Sequence, residues 1–347
     1  MSTLRERNFR RLKESIAGEK SDGHAVFNFY TFPFFQAVTG VNLDDYFHKP
    51  EVTLKCQIEA LEKIDGIGNP LPDMGSVAEA SGLGGLVMFD DNGFISVHPN
   101  PDIEDADDVD DLDFLEPANP WGDNYMRKAL ESLQYMVDNC PEGYRINPHP
   151  IMGPFTIGAN LRGISDFCAD TIAEPEMVHK ILDVCTETCI RFMAEQKKIL
   201  GTLHHVLIAD DLSAFLSEPA YREFILPYYE RMFAAFPDMQ PWLHNDSTAR
   251  HVAPAIADAG FLAWQYLPEI APQDALDLTN SKVTLLGGLS PLELARWTPE
   301  ETYDNCTKIL ESFAGNNRCV LAAGGSVNQV PIPNLKMMFK AADDFKL

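Results

Sequence analysis

Residues 204–211, HHVLIADD, and 240–246, QPWLHND, decide how the chain folds. Each is a short apolar run ending on charged groups, and residues 219–236 between them carry a helical pattern. Strand, helix and strand then follow one another as in a parallel βαβ unit. The same alternation extends both ways. Upstream lie a helical stretch at about 122–139, strand-like YRINPHPIMG (144–153), helical TIGANLRGISDF (156–167) and a long helix from Pro175 to about Leu200. Downstream come a helix at 248–259, GFLAWQY (260–266), a short helix after Pro272, KVTLLGGLSP (282–291), a helix at 298–314, RCVLAAGG (318–325) and a last helix at about 332–345.

The first third of the chain is less regular. A basic helical segment, MSTLRERNFRRLKESIAGEK, leads to the β-like run HAVFNFYTFPFF from His24 and a helix at about 50–65. Residues 84–98, GGLVMFDDNGFISVH, place Asp91-Asn92-Gly93 between two β-prone runs and read as an inserted hairpin. Residues 101–117, PDIEDADDVDDLDFLEP, hold nine acidic side chains without calcium-loop spacing and read as a solvated surface connection. The expected architecture is α/β: a single domain over 1–347, a (β/α)8 TIM barrel with an N-terminal helical extension and the hairpin at 84–98.

Composition narrows the function. With 347 residues, 45% hydrophobic, the chain can bury a large core. A net charge of −25 repels phosphate backbones and anionic membrane surfaces, which argues against nucleic acid and membrane partners. No signal-peptide-like segment or long uncharged apolar stretch is present, so a cytoplasmic enzyme is expected. The seven cysteines are scattered with no C-x-x-C pair, as for reduced thiols; Cys185 and Cys189, four apart, read as small residues on a core stripe. Neither a dinucleotide glycine fingerprint after an early strand nor a P-loop occurs.

In a parallel barrel, polar residues just past the carboxyl ends of strands line the active face. That rule selects Asp210 and Asp211, His244 and Asp246, Gln265 and Tyr266, and the glycines of LLGGLSP and LAAGGS. Imidazole nitrogen with carboxylate oxygens suits Zn²⁺ or another divalent metal. Asp210, Asp211 and His244 are candidate ligands. Asp211, His244 and Asp246 are candidate catalytic groups, Asp246 orienting a ligand or moving a proton. Asp246, Ser247 or Thr248 also fits the N-cap of the following helix. Phe27, Phe29, Tyr30, Phe32, Phe34, Phe35 and Trp264 supply an aromatic pocket wall or plain core packing. Glu223, by pattern alone, is a solvated helix residue.

Motif order adds a resemblance. GPFTIGANLRG, IADDLSAFLSEPAYREFILPYYERM, WLHNDST, VTLLGGLSPLELARWTPEETYDN, and VLAAGG followed by VPIPNLKMMFKAA resemble the uroporphyrinogen decarboxylase superfamily along nearly the whole chain. That resemblance implies a (β/α)8 barrel, and either a decarboxylase or a corrinoid-dependent methyltransferase. Decarboxylases of this kind bind an octa-anionic tetrapyrrole through N-terminal arginines; FNFYTFPFFQAVTG (27–40) has none, and Gly324 or Gly325 stands at the place of their late histidine. Asp73, in NPLPDMG, matches their central aspartate. Thiol methyltransferases of the superfamily hold zinc through His-x-Cys and a later Cys, whereas here His244-Asn245-Asp246 and AAGG carry no thiolate.

The demethylating components of aryl-ether O-demethylase systems resemble the chain better. Their zinc is held by two glutamates and a histidine, which implies Glu223 and His244 as ligands; Ile208 replaces the first glutamate, with Asp210 or Asp211 standing in. The expected function is therefore transfer of a methyl group from a small methylated substrate, an aryl methyl ether, to Co(I) of a corrinoid on a partner protein, with Zn²⁺ bound. Substrate contacts are expected from Phe29, Tyr30, Phe32, Asp73, Asn160 and Trp264, and a homodimer is compatible with the sequence. The alternatives are a metal-free decarboxylase-like activity and a non-catalytic corrinoid- or metabolite-binding subunit.

Overall fold

The computed structural model describes residues 2–313 and 315–346. Its strands are β1 (Val26–Phe29), β2 (Leu86–Phe89), β3 (Ile95–His98), β4 (Ile151–Met152), β5 (His205–Ala209), β6 (Gln240–His244), β7 (Ala263–Gln265), β8 (Thr284–Leu289) and β9 (Cys319–Ser326). Seven of them form one parallel sheet in the order β1-β9-β8-β7-β6-β5-β4. Strands β2 and β3 pair antiparallel as the hairpin read at 84–98, apart from that sheet.

The sheet curls into a half-barrel. Phe27 on β1 meets Trp242 on β6 edge to face at 5.7 Å although three strands separate them in the sheet, and Phe29 meets His244 one layer higher at 4.8 Å. Side chains alternate between the two faces of a strand. Phe27, Leu207, Trp242, Ala263, Leu286, Val320 and Ala322 therefore pack together inside the curl, while Ile208, Leu243, Trp264 and Leu285 join the larger core beneath the helices. The helix Leu4–Ala17 closes the end where strands begin: Leu12 and Ile16 pack on the inner cluster, Asn8 exchanges hydrogen bonds with Val26, and Thr284 donates to the Ser15 carbonyl. Helices return along the outside, several opening on proline at their first position (Pro50, Pro154, Pro175, Pro272, Pro299), where no N–H is needed.

Eight strands closing a barrel were expected; the sheet has seven, and among the described residues no pairing joins β1 to β4. Residues 67–74 lie across that gap. The Pro70 carbonyl accepts from Asn147 N at 2.8 Å just before β4, and Gly68 lies against the Tyr30 ring beyond β1. Pro70 and Pro72 cannot donate to a ladder, which accounts for the missing strand.

Two further boundaries differ from the sequence reading, at FPFF and at 248–259, while the interruption that Leu226-Pro227 implies within 219–236 is present. FPFF is not strand but the start of the helix Phe32–Thr39, with Pro33 in its first turn. Residues 219–236 form two helices, Glu218–Phe224 and Leu226–Ala235, broken at Ile225 before Pro227. The helix placed at 248–259 is a 3₁₀ turn, Arg250–Val252, followed by Ala253–Asp258. Cys185 and Cys189 are fully buried on the helix Pro175–Leu200, as core residues. No helix among the described residues is long and apolar enough to cross a membrane.

Glu79 is wholly buried with Oε1 accepting from Met152 N, while Oε2 meets no partner among the described residues. Burial pushes its carboxyl from 4.5 up to about 7. The folded chain thus holds a proton that the unfolded chain releases above its own lower pKa, so this contribution is complete at acidic pH and is lost as pH rises from about 4.5 through 7. Glu79→Gln should match the natural protein at pH 4.5 and exceed it at pH 8 by on the order of 3 kcal/mol, read from urea midpoints at the two pH values.

Candidate functional site

The inner-face alternation selects the site. Above the Phe27–Trp242 layer come Phe29, Ala209, His244 and Gln265, with His244 opposite Ala209 on one side and Gln265 on the other. One step further, past the strand ends, stand Asp211 and Asp246. His244 Nε2 lies 4.0 Å from Asp211 Oδ1 and 4.0 Å from Asp246 Oδ2. These are the three groups among the described residues whose ligand atoms converge, all within 4.8 Å of one another. The imidazole is 7% exposed, and the carboxylates, at 29% and 47%, form its solvent side.

Backbone and amide contacts brace the group. Asp246 N donates to Asp211 Oδ1 at 2.8 Å, and Asn245 Nδ2 donates to the Asp210 carbonyl at 2.8 Å, tying the β5 and β6 exits together. His244 Nδ1 lies 2.7 Å from Gln265 Oε1. Asp246 caps no helix, because the next turn begins at Arg250. Burial pushes the Asp211 carboxyl up to about 6; the nearby His244 ring pulls the other way and the Asp246 carboxylate adds to the push.

The three residues fit a small hard cation. Spacings of 4.0 Å are too long for direct hydrogen bonds yet short enough for all three groups to reach one ion, and nitrogen with carboxylate oxygen is a donor set that Zn²⁺ accepts. Every cysteine lies outside the group. Gly325 leaves room beside it: a Cβ there would sit 3.6 Å from Asp246 Oδ2.

Asp210 is not in the group. It faces the helical layer, where Oδ1 accepts from Thr156 N (3.1 Å) and Thr156 Oγ1 (2.7 Å) and Oδ2 from the Tyr229 hydroxyl. Adjacent residues leaving a strand point to opposite faces, so only Asp211 can join His244. Gly153 packs so tightly on Asp210 that a Cβ would fall 2.2 Å from its carboxyl carbon. Glu223 is also outside, exposed on the helix Glu218–Phe224 while Tyr221 and Phe224 carry that helix's buried face.

The expected substrate contacts divide. Phe29 packs on the His244 ring, and Tyr30 lies tilted against Phe34 at 4.8 Å. Phe32 packs between Phe47 and Phe94, the latter from the hairpin. Asp73 is buried beside Phe32, its carboxyl pushed up to about 6 by burial while accepting from Gly75 N and the Tyr46 hydroxyl. Asn160 is half-buried on the helix Pro154–Arg162, about two turns from its start. Trp264 is fully buried on the outer face of β7 against Tyr266 and walls off no inner pocket. The strand-end rule selected Gln265 without giving it a role; its register with His244 is the signal that supplies one.

Residues 28–345 match the model of the uroporphyrinogen decarboxylase family. The chain belongs to that family. A methylated-thiol–coenzyme M methyltransferase of Methanosarcina mazei is 23% identical over 198 residues, 56% of this chain and 52% of that protein. A uroporphyrinogen decarboxylase of Chlorobaculum parvum is 30% identical over 153 residues, 42% of each chain. The chain thus aligns with about half the length of these curated relatives. A solved methyltransferase from Methanosarcina mazei superposes with a TM-score of 0.81 over 99% of both chains at 20% identity, which shows a shared fold.

Proposed function

We propose that the protein is a methyltransferase whose single domain moves a methyl group from a small donor, an aryl methyl ether, to Co(I) of a corrinoid carried by a separate protein. The observation that carries this reading is the Asp211–His244–Asp246 group at the strand ends, whose oxygen and nitrogen donors converge with no thiolate among them. A methyltransferase among the curated relatives supports the reaction class. Asp246 in place of a cysteine favours an oxygen-bound methyl group over a thiol.

Asp211, His244 and Asp246 would hold Zn²⁺, which supplies Lewis acidity at the ether oxygen. His244 is held in place by Gln265, and Phe29 offers its ring as one wall for an aromatic donor. The partner's corrinoid would supply the nucleophile that takes the methyl carbon, and the donor oxygen would leave as phenolate. Asp246, the more exposed carboxylate, marks the solvent side from which that oxygen would take its proton. A decarboxylase reading needs cationic partners for an anionic tetrapyrrole; residues 27–40 hold no arginine, and the strand-end group adds two carboxylates.

The test follows Co(I) to methyl-Co(III) conversion by absorbance with a free or protein-bound corrinoid across methoxyarenes, methylamines and methyl thiols. Turnover is expected with methoxyarenes first. Turnover with methyl thiols alone would overturn the donor class; CO₂ release from uroporphyrinogen, or tight corrinoid binding without turnover, would overturn the reaction.

A further inference from the structure

Gln265 reaches across the inside of the half-barrel. Its Nε2 donates to two backbone carbonyls of β9, Ala323 O at 2.7 Å and Gly325 O at 3.1 Å, although β8 separates β7 from β9 in the sheet. Both partners can only accept. Turning the amide over would set Oε1 against two carbonyl oxygens with no proton between them, so the β9 backbone fixes which end of the amide faces His244. That end is Oε1, 2.7 Å from His244 Nδ1.

An amide oxygen also only accepts, so Nδ1 carries the proton. A neutral imidazole has one proton, which leaves Nε2 with a lone pair. Nε2 faces the two carboxylates at 4.0 Å. We propose that Gln265 is a positioning residue: anchored on the Ala323 and Gly325 carbonyls, it fixes His244 in the Nδ1–H tautomer and directs the Nε2 lone pair at Asp211 and Asp246. Lone pair and carboxylates then converge on a place that favours a cation. The inference rests on the cation-site reading of the same group, yet the tautomer can be read without any metal.

Nitrogen-15 NMR of histidine-labelled, metal-free protein above neutral pH, with His244 assigned by its loss in His244→Ala, makes the test. The natural chain should show a protonated Nδ1 and a pyridine-like Nε2. In Gln265→Leu that signature should disappear, and Zn²⁺ affinity should fall roughly 10- to 100-fold with circular dichroism unchanged. If Gln265→Leu does not fold, the natural chain's own spectrum decides which ring nitrogen carries the proton. A protonated Nε2 with a pyridine-like Nδ1 in the natural chain, or an unchanged signature in a folded Gln265→Leu, would overturn the inference. The expected tautomer in a protein that binds no Zn²⁺ would leave Gln265's role standing and remove the cation reading instead.

Discussion

His244→Ala should lower methyl-transfer turnover by roughly 10³-fold or more while the protein stays folded. Losing the nitrogen donor removes Lewis-acid assistance to a poor leaving group, an effect of several kcal/mol, and about 4 kcal/mol corresponds to that factor. Asp211→Asn should approach the same loss, since it keeps the shape that accepts from Asp246 N but not the charge. Asp211 is partly exposed, so Asp211→Asn should move the melting temperature by only a few degrees, whereas His244→Ala removes a buried ring, leaves Gln265 Oε1 without its partner and should lower it further. Asp210→Ala is the control. The Asp210 carboxylate is a buried acceptor for Thr156 and Tyr229, and removing it should destabilise the fold and leave those donors without a partner. Single-turnover rates alongside thermal unfolding separate the two behaviours.

Arg162→Met should destabilise the protein by about 3–5 kcal/mol, the cost of breaking one side of a buried ion pair. Arg162 Nε donates to Asp170 Oδ2 at 2.9 Å, both side chains about a tenth exposed. Its Nη1 donates to the carbonyls of Ile103 (2.8 Å), Glu104 (2.6 Å) and Ala106 (2.8 Å). These carbonyls open the acidic stretch, so one guanidinium fastens a segment whose charges repel one another. Arg162→Lys should recover little, because an ammonium cannot present the same planar fork. A lower urea midpoint for both variants, with the 101–117 segment cut faster by protease, is the expected result. An unchanged midpoint would show that the segment is held by Ile103, Leu112 and Leu115, its buried apolar side chains.

Much of the architecture was legible because parallel strands and amphipathic helices leave different periods. HHVLIADD, QPWLHND and RCVLAAGG end as strands near where their apolar runs end. Eight barrel strands were expected although the strand-like runs outside the hairpin number seven, and Pro70 and Pro72 lie where an eighth would close the sheet. FPFF misled because a short apolar run fits strand and helix alike; Thr31 followed by Pro33 was the overlooked helix start. Within the site, His244, Asp211 and Asp246 were found by the strand-end rule. Asp210 was included because the rule names a strand's exit but not its face. Counting by two from Leu207, which packs inside, would have separated Asp211 from Asp210. Glu223 falls off the helical stripe of Tyr221, Phe224, Tyr228 and Met232, a spacing visible in the sequence. Trp264 had no such signal, since a strand buried on both faces shows no alternation.

X-ray absorption at the zinc edge, on protein given one equivalent of Zn²⁺ and dialysed, tests the central claim most directly. One retained zinc per chain, with imidazole nitrogen and oxygen scatterers only and lost from His244→Ala, is the predicted result. Sulfur in the coordination shell, or no retained zinc, would contradict it.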